Sequence, residues 1–326
     1  MVRKHSMMLS SQKYEQQSRS PLPTPHSLTA LCSLLTALCS LFSVSCATLA
    51  RVESAQSPEE VSPRWTSLSS GLDYFAGKAL RPRVTFYALR IDLTDPDLRV
   101  IASAGKTGDD GKTLSIKVSS FVRDNGLAAG INALPFDPVS GKEGEPRTNV
   151  GIVIADGVTL SPPHKSFDAL VIYKDGRAAV VAQSEINNNN IDKIENAAGG
   201  FYRILENNEP VPRVLGLSAS GGSHPRHPRS AAGISANGKF LYLLVIDGRR
   251  IDSVGCTELE TALLLKALGA SEGINFDGGG SSALAIRYPK GKIRVVNTPI
   301  HGQIPGRERA VAGCLGIGNR RHGATP

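Results

Sequence analysis

The sequence predicts an α+β fold, a mixed but mainly antiparallel β-sheet core with a few helices. Asp156-Gly157, Asp175-Gly176 and Asn237-Gly238 each sit between two β-rich runs, and two adjacent residues that tolerate positive φ close a tight hairpin. Extended runs such as Val84 to Asp92 (VTFYALRID), Leu98 to Ala104 (LRVIASA) and Phe240 to Ile246 carry the β-branched and aromatic residues that strands favour. Helical spacing of apolar residues is confined to Ser115 to Gly126 and to the run after Thr257.

Along the chain, the first fifty residues are a basic leader (Arg3, Lys4, Lys13 and Arg19 against Glu15) followed by an uncharged apolar run in which LTALCSL is repeated. That pattern predicts export, with small-x-small cleavage sites at Ser45-Cys46-Ala47 and Thr48-Leu49-Ala50. Residues 28–50 are also long enough for an uncleaved span, so membrane attachment through them stays open. Residues 51–82 mix Ser, Pro and Glu without clear periodicity and read as a flexible linker. The folded domain is expected over 83–320, with 321–326 as a tail. Its most regular helix starts at a Thr257 cap, places Leu259, Leu263 and Ala267 on one stripe and stops at Gly269.

With 326 residues, 40% hydrophobic and 20% charged, the chain can build a sizeable core. Of the net charge of +8 the first fifty residues contribute three, and the remaining excess of five suits an anionic substrate. No lysine and arginine stripe with interleaved aromatics tracks a nucleic-acid backbone, so nucleic-acid binding is not expected. Cys256 and Cys314 belong to the folded body, and either a disulfide or two buried thiols would satisfy the sequence. No metal-ligand spacing and no dinucleotide fingerprint occurs, so neither a metal nor an organic cofactor is expected. Nothing in the sequence sets the oligomeric state.

The chemistry is expected around Asn275-Phe276-Asp277-Gly278-Gly279-Gly280-Ser281-Ser282. Here a carboxylate at a strand end meets three glycines and two hydroxyls. Consecutive glycines let backbone N–H groups and a ligand approach closely, as phosphate-cradling loops do. Upstream, His227-Pro228-Arg229 and Asp247-Gly248-Arg249 bring further charged groups to strand ends.

The segments HPRSAAGI, LLVIDGR, ELETALLLKALGA, NFDGGGSSAL, VNTP and GRERAV, in this order, resemble the phosphodiester glycosidase family. Asn132 in GINALPF and the Gly199-Gly200 pair are similar to two further elements of that family. The resemblance covers roughly 83–319, with Leu134-Pro135, Ser230 and Ala283-Leu284 departing from the usual residues. It implies hydrolysis of a sugar 1-phosphodiester to free sugar and a phosphomonoester, which the export-type leader would place in an envelope or extracellular setting.

Glycosidic cleavage passes through an oxocarbenium-like state that wants a carboxylate on one face of the ring. Asp277 is the first choice, with Glu260 matching the family's helix glutamate as a second carboxylate. Arg229 is expected to fork onto the phosphate, assisted by Arg249 or Arg309. The alternative partner for Arg309 is its neighbour Glu308. His227 could donate to the leaving phosphate. Asn132, Gly199, Gly200, Asp247, Gly278, Gly279, Gly280, Ser281 and Ser282 complete the expected substrate-binding set. The polar loops 187–190 and 218–228 are candidates for a selective rim. Two other readings stay open at this point. One is a non-catalytic binder of phosphorylated envelope glycans; the other is a metal-assisted phosphodiesterase using Asp247 and Asp277.

Overall fold

The computed structural model describes residues 53–103, 106, 108, 112–216 and 225–319. Expectations for 1–50, 217–224 and the tail therefore fall outside the described residues. Within them the α+β expectation holds. Strands dominate, most pairings are antiparallel, and α-helix is limited to Val118–Asp124 and Glu258–Leu268. The three Asp-Gly and Asn-Gly turns sit where they were predicted. At the first of them, Asp156 (φ 47°) and Gly157 (φ 80°) close the hairpin between Val153–Ala155 and Val158–Ser161.

A nine-stranded sheet forms the frame. Its centre is the antiparallel set Leu72–Leu80, Arg83–Asp92, Phe240–Ile246, Arg229–Ile234, Glu272–Asn275 and Tyr202–Glu206, in that spatial order. One face packs on two five-stranded sheets. Leu89, Leu243 and Ile274 from the frame meet Leu170 and Ala198 from one partner sheet and Ile131, Leu284 and Leu315 from the other. The opposite face packs on the helix Glu258–Leu268, where Ala262, Leu264, Leu265 and Leu268 meet Phe86, Leu244 and Leu205.

Two expectations are corrected, and the alternatives for the two cysteines are resolved. Over the described residues 53–82 the expected linker of 51–82 is instead part of the fold: Glu53–Ala55, Thr66–Ser69 and Leu72–Leu80 are strands of the frame, the last paired with Arg83–Asp92 along its whole length. A sheet edge keeps one side of its backbone open to water, so the polar residues that suggested a linker are compatible with it. The buried helix face is Thr261, Ala262, Leu264, Leu265 and Leu268, offset from the Leu259, Leu263, Ala267 stripe. Cys256 and Cys314 are both buried free thiols in separate core clusters.

The helix Glu258–Leu268 is closed at both ends by the expected chemistry. Thr257 Oγ1 accepts from Glu260 N, and Gly269 ends the helix in the left-handed region at φ 110°.

Gly199 and Gly200 mark the crossing from a partner sheet to the frame. A Cβ on Gly200 would lie 2.8 Å from Ile274 Cδ1 and 2.9 Å from the Asn275 carbonyl; one on Gly199 would meet Gln183 and the Ile152 backbone. Their smallness lets two sheets touch, and the contacts they make are with the protein itself, which corrects the expectation that they bind substrate. Gly200→Ala is expected to destabilise the fold by about 1–3 kcal/mol through overpacking. Urea unfolding would show this as a lowered midpoint, and an unchanged midpoint would mean the crossing has slack.

Candidate functional site

The sheet geometry gathers the expected residues at one end of the frame. Ala231 pairs with Asn275, Arg229 with Ile246, and Tyr202 with Asn275 from the other side. Arg229, Asp247 and Asp277 therefore leave their strands at the same end, beside Phe201 and Tyr202. The rim loop 187–190 does not join them. It precedes Ile194, at the opposite end of its strand from Gly199, and it is knitted by its own Asn side chains, with Asn187 N donating to Asn190 Oδ1 at 2.9 Å.

The glycine loop is fixed by backbone bonds to three different segments. Phe276 N donates to the Ser230 carbonyl, Asp277 N to the Ala133 carbonyl and Gly279 N to the Pro228 carbonyl, each at 2.8 Å. Asn132 supplies the tie beneath them. Its Nδ2 donates to the Asp277 carbonyl at 2.6 Å, and its Oδ1 accepts from Ser230 Oγ at 2.7 Å and from Ala283 N at 3.1 Å. Asn132 is buried and both ends of its amide are engaged. It positions the loop, whereas the sequence suggested that it touches sugar.

Two arginines lie over the glycines. A Cβ on Gly279 would come within 3.0 Å of Arg249 Nη2, and one on Gly280 within 2.5 Å of Arg309 Nη2. The glycines thus make room for guanidinium groups. Arg309 is not paired with Glu308, whose carboxylate takes Ser119 N and Oγ instead. Its Nη1 donates to Ser281 Oγ at 3.1 Å and its Nε to His301 Nδ1 at 3.0 Å. Because that ring nitrogen accepts, a neutral His301 carries its proton on Nε2.

Asp277 stands at the centre of this cluster. Burial pushes its carboxyl up to about 6, partly offset by a hydrogen bond with Ser281 and by the nearby Arg309 charge. The Asp277 carboxylate beside the Arg309 cation forms a charge pair in a site of low polarity, where ionic interactions are strong and a carboxyl pKa is easily perturbed.

Other expected residues serve the frame. The Arg229 guanidinium is buried; Nε donates to the Cys256 carbonyl at 3.0 Å, Nη2 to the Pro225 carbonyl at 3.1 Å, and Nη1 lies 3.6 Å from Glu258. It clamps the start of the long helix to the strand Arg229–Ile234, which pairs with the strand that precedes the glycine loop. Glu260 closes a capping box, with Oε2 accepting from Thr257 N at 2.9 Å, and its other oxygen pairs with Arg226. No contact joins Glu260 to Asp277, so the expected carboxylate pair is not assembled here. The T-x-x-E spacing of Thr257 and Glu260 is itself a capping-box signature.

Asp247 is buried, and its Oδ1 accepts from Thr298 N at 2.8 Å and from Asn297 Nδ2 at 3.3 Å. Asn297 Nδ2 also donates to the Ser282 carbonyl at 3.0 Å, which extends this support to the far end of the glycine loop. Asp247 thus braces the site from behind, in place of touching substrate. Half-buried His227 is bridged to Cys256 through its backbone; burial lowers its pKa, and the charges of Arg249 and Arg229 lower it further. Sequence reasoning missed His301 and Asn297. Asn297 lies within the VNTP segment and His301 two residues beyond it, so polar side chains on either side of Pro299 were the available signal.

A family model described as "Phosphodiester glycosidase" matches residues 125–318, and those residues include every group just described around Asp277. The chain belongs to the phosphodiester glycosidase family. Among solved structures it is similar to the zebrafish N-acetylglucosamine-1-phosphodiester alpha-N-acetylglucosaminidase catalytic domain, auto-inhibited by its pro-peptide. The TM-score is 0.57 at 19% identity, over 80% of this chain and 89% of that one. A hypothetical protein from Synechocystis aligns with TM-score 0.56 at 13% identity, over 79% of this chain and 64% of that one. At such identities these two likenesses speak to fold. The SPbeta prophage-derived uncharacterized protein YomE of Bacillus subtilis (strain 168) is 28% identical over 173 residues, and the match covers 52% of this chain and only 25% of that longer protein.

The assignment of Glu260 to capping is directly testable. Gln fills the same capping-box position, so Glu260→Gln should keep the thermal midpoint. Turnover should stay within about threefold of wild type, the effect of a group acting only on the frame. A stable variant that loses about a hundredfold or more in kcat would return Glu260 to the chemistry.

Proposed function

We propose that this chain hydrolyses a sugar 1-phosphodiester, releasing free sugar and a phosphomonoester, and that it does so outside the cytoplasm on envelope or extracellular glycan phosphates. The observation that carries the reading is the Asp277 carboxylate, its pKa raised by burial, in a glycine loop over which the guanidinium groups of Arg249 and Arg309 lie. Family membership supports it. The basic and apolar leader supports the extracytoplasmic setting.

In this reading Asp277 supplies the anionic group on one face of the sugar ring as the C1–O bond to phosphate breaks. Arg249 and Arg309 take the negative charge that collects on the departing phosphate. A phosphate with a second pKa near 6 leaves without strong help from a general acid. Ser281 and His301 hold Arg309 in place, and Asn132 holds the loop that carries Asp277. Electrostatic preorganisation of this kind is the largest contribution an enzyme site usually makes. The metal-assisted alternative draws no support from Asp247, whose Oδ1 is already shared between Thr298 and Asn297.

Asp277→Asn, assayed for sugar release from a panel of sugar 1-phosphodiesters, is expected to lower kcat by about a thousandfold or more while leaving the far-ultraviolet circular dichroism unchanged. Full turnover by that variant would refute the role of Asp277. Removing one cation by Arg309→Met should cost about 100- to 1000-fold.

The pH profile follows from the raised carboxyl. Asp277 is protonated and inactive below about 6 and ionised above it, so kcat should rise with pH through that value. A limb near 4 would mean that the group is solvated as an ordinary aspartate.

A further inference from the structure

We infer that the rim beside Arg249 is a docking face for an anionic lipid surface, a role that goes beyond the hydrolase reading. The loop after Phe240–Ile246 carries Ile251 at 91% exposure and Val254 at 39%, and the neighbouring hairpin tip carries Leu80 at 49%. Single exposed apolar residues are ordinary, whereas Leu80, Ile251 and Val254 on adjoining segments form a patch of the kind that marks a contact surface. These two segments form one surface. Val254 N donates to the Arg83 carbonyl at 2.9 Å, Thr85 N to Ser253 Oγ at 3.0 Å, and Arg83 reaches the Ile251 carbonyl at 3.5 Å.

Cations surround the apolar tips. Lys78, Arg81, Arg83 and Arg249 are exposed on the same two segments. Arg250 is tied to Asp252 and lies 3.9 Å from Asp247. Asp252 is an exposed carboxylate on this face, and the Lys78 charge acts on it. Apolar side chains projecting beyond a ring of lysine and arginine match a bilayer whose headgroups are negative. The tips enter the headgroup and acyl boundary while the cations stay at the charged layer.

The face is continuous with the candidate site. Arg249, in the left-handed region at φ 58°, belongs to the loop that bears Ile251 and also lies over Gly279. Seating this rim on a membrane would therefore turn the mouth containing Asp277 toward groups displayed on that surface. The orientation would come from the folded domain itself, whether or not residues 28–50 tether the chain.

The test is local, so that a tether elsewhere cannot imitate it. In the full chain, Ile251→Trp adds one tryptophan to the single native one, Trp65, and the wild-type signal is subtracted. Vesicles of phosphatidylcholine with phosphatidylglycerol should shift the added emission to the blue, and brominated acyl chains should quench it. Leu80→Trp should respond alike. Lys78→Glu combined with Arg81→Glu should weaken the vesicle response about tenfold or more, given the attraction of each basic group to an anionic surface. No shift at either position, or an equal shift on pure phosphatidylcholine, would overturn the proposal. The readout needs no substrate, so it can fail while the glycosidase reading stands, and the reverse.

Discussion

The amide of Asn132 is the interaction on which the rest of the site depends. It joins the strand Ala129–Asn132 of a partner sheet to the Asp277 carbonyl, to Ser230 on the frame and to Ala283 beyond the glycine loop. One buried side chain thus fixes the relative placement of two sheets and of the loop between them. A buried amide with every partner supplied adds little net stability, yet leaving any of those partners unpaired is costly, and that asymmetry makes the arrangement unique. Because Asn132 holds the main chain of Asp277, the carboxylate has a fixed origin from which to act.

A second constraint operates above the loop. Gly279 and Gly280 lack the Cβ that would occupy the space of Arg249 and Arg309, so the cations settle close to the backbone and to each other. Like charges held together in a partly desolvated place are unfavourable without an anion. Asp277 supplies one negative charge, and a phosphate diester would supply another. The same loop that carries Arg249 extends outward to the exposed Ile251. Binding at the mouth and contact at the rim thus share a short stretch of chain.

Much of this was legible in the sequence. The hairpin turns, the long helix and its caps, and Asp277 with its glycines were all marked by local chemistry that the fold preserves. What the sequence concealed was direction. Arg229 and Glu260 lie in the expected segments, but their side chains turn toward the helix start, where Arg229 meets the Cys256 and Pro225 carbonyls and Glu260 caps Thr257. Glu308 looked like the natural partner of Arg309, yet Ser119, remote in sequence, takes its carboxylate. The strand Leu72–Leu80 was hidden by the polar composition around it, because pairing with Arg83–Asp92 is decided by the finished sheet.

The central claim is that the Asp277 loop and its two arginines break the bond between sugar carbon and phosphate oxygen. Hydrolysis of a sugar 1-phosphodiester in water enriched in oxygen-18 tests it most directly, with mass spectrometry of both products. The account predicts the label on the released sugar and none in the phosphomonoester. Label in the phosphomonoester would place the cleavage at phosphorus and contradict it.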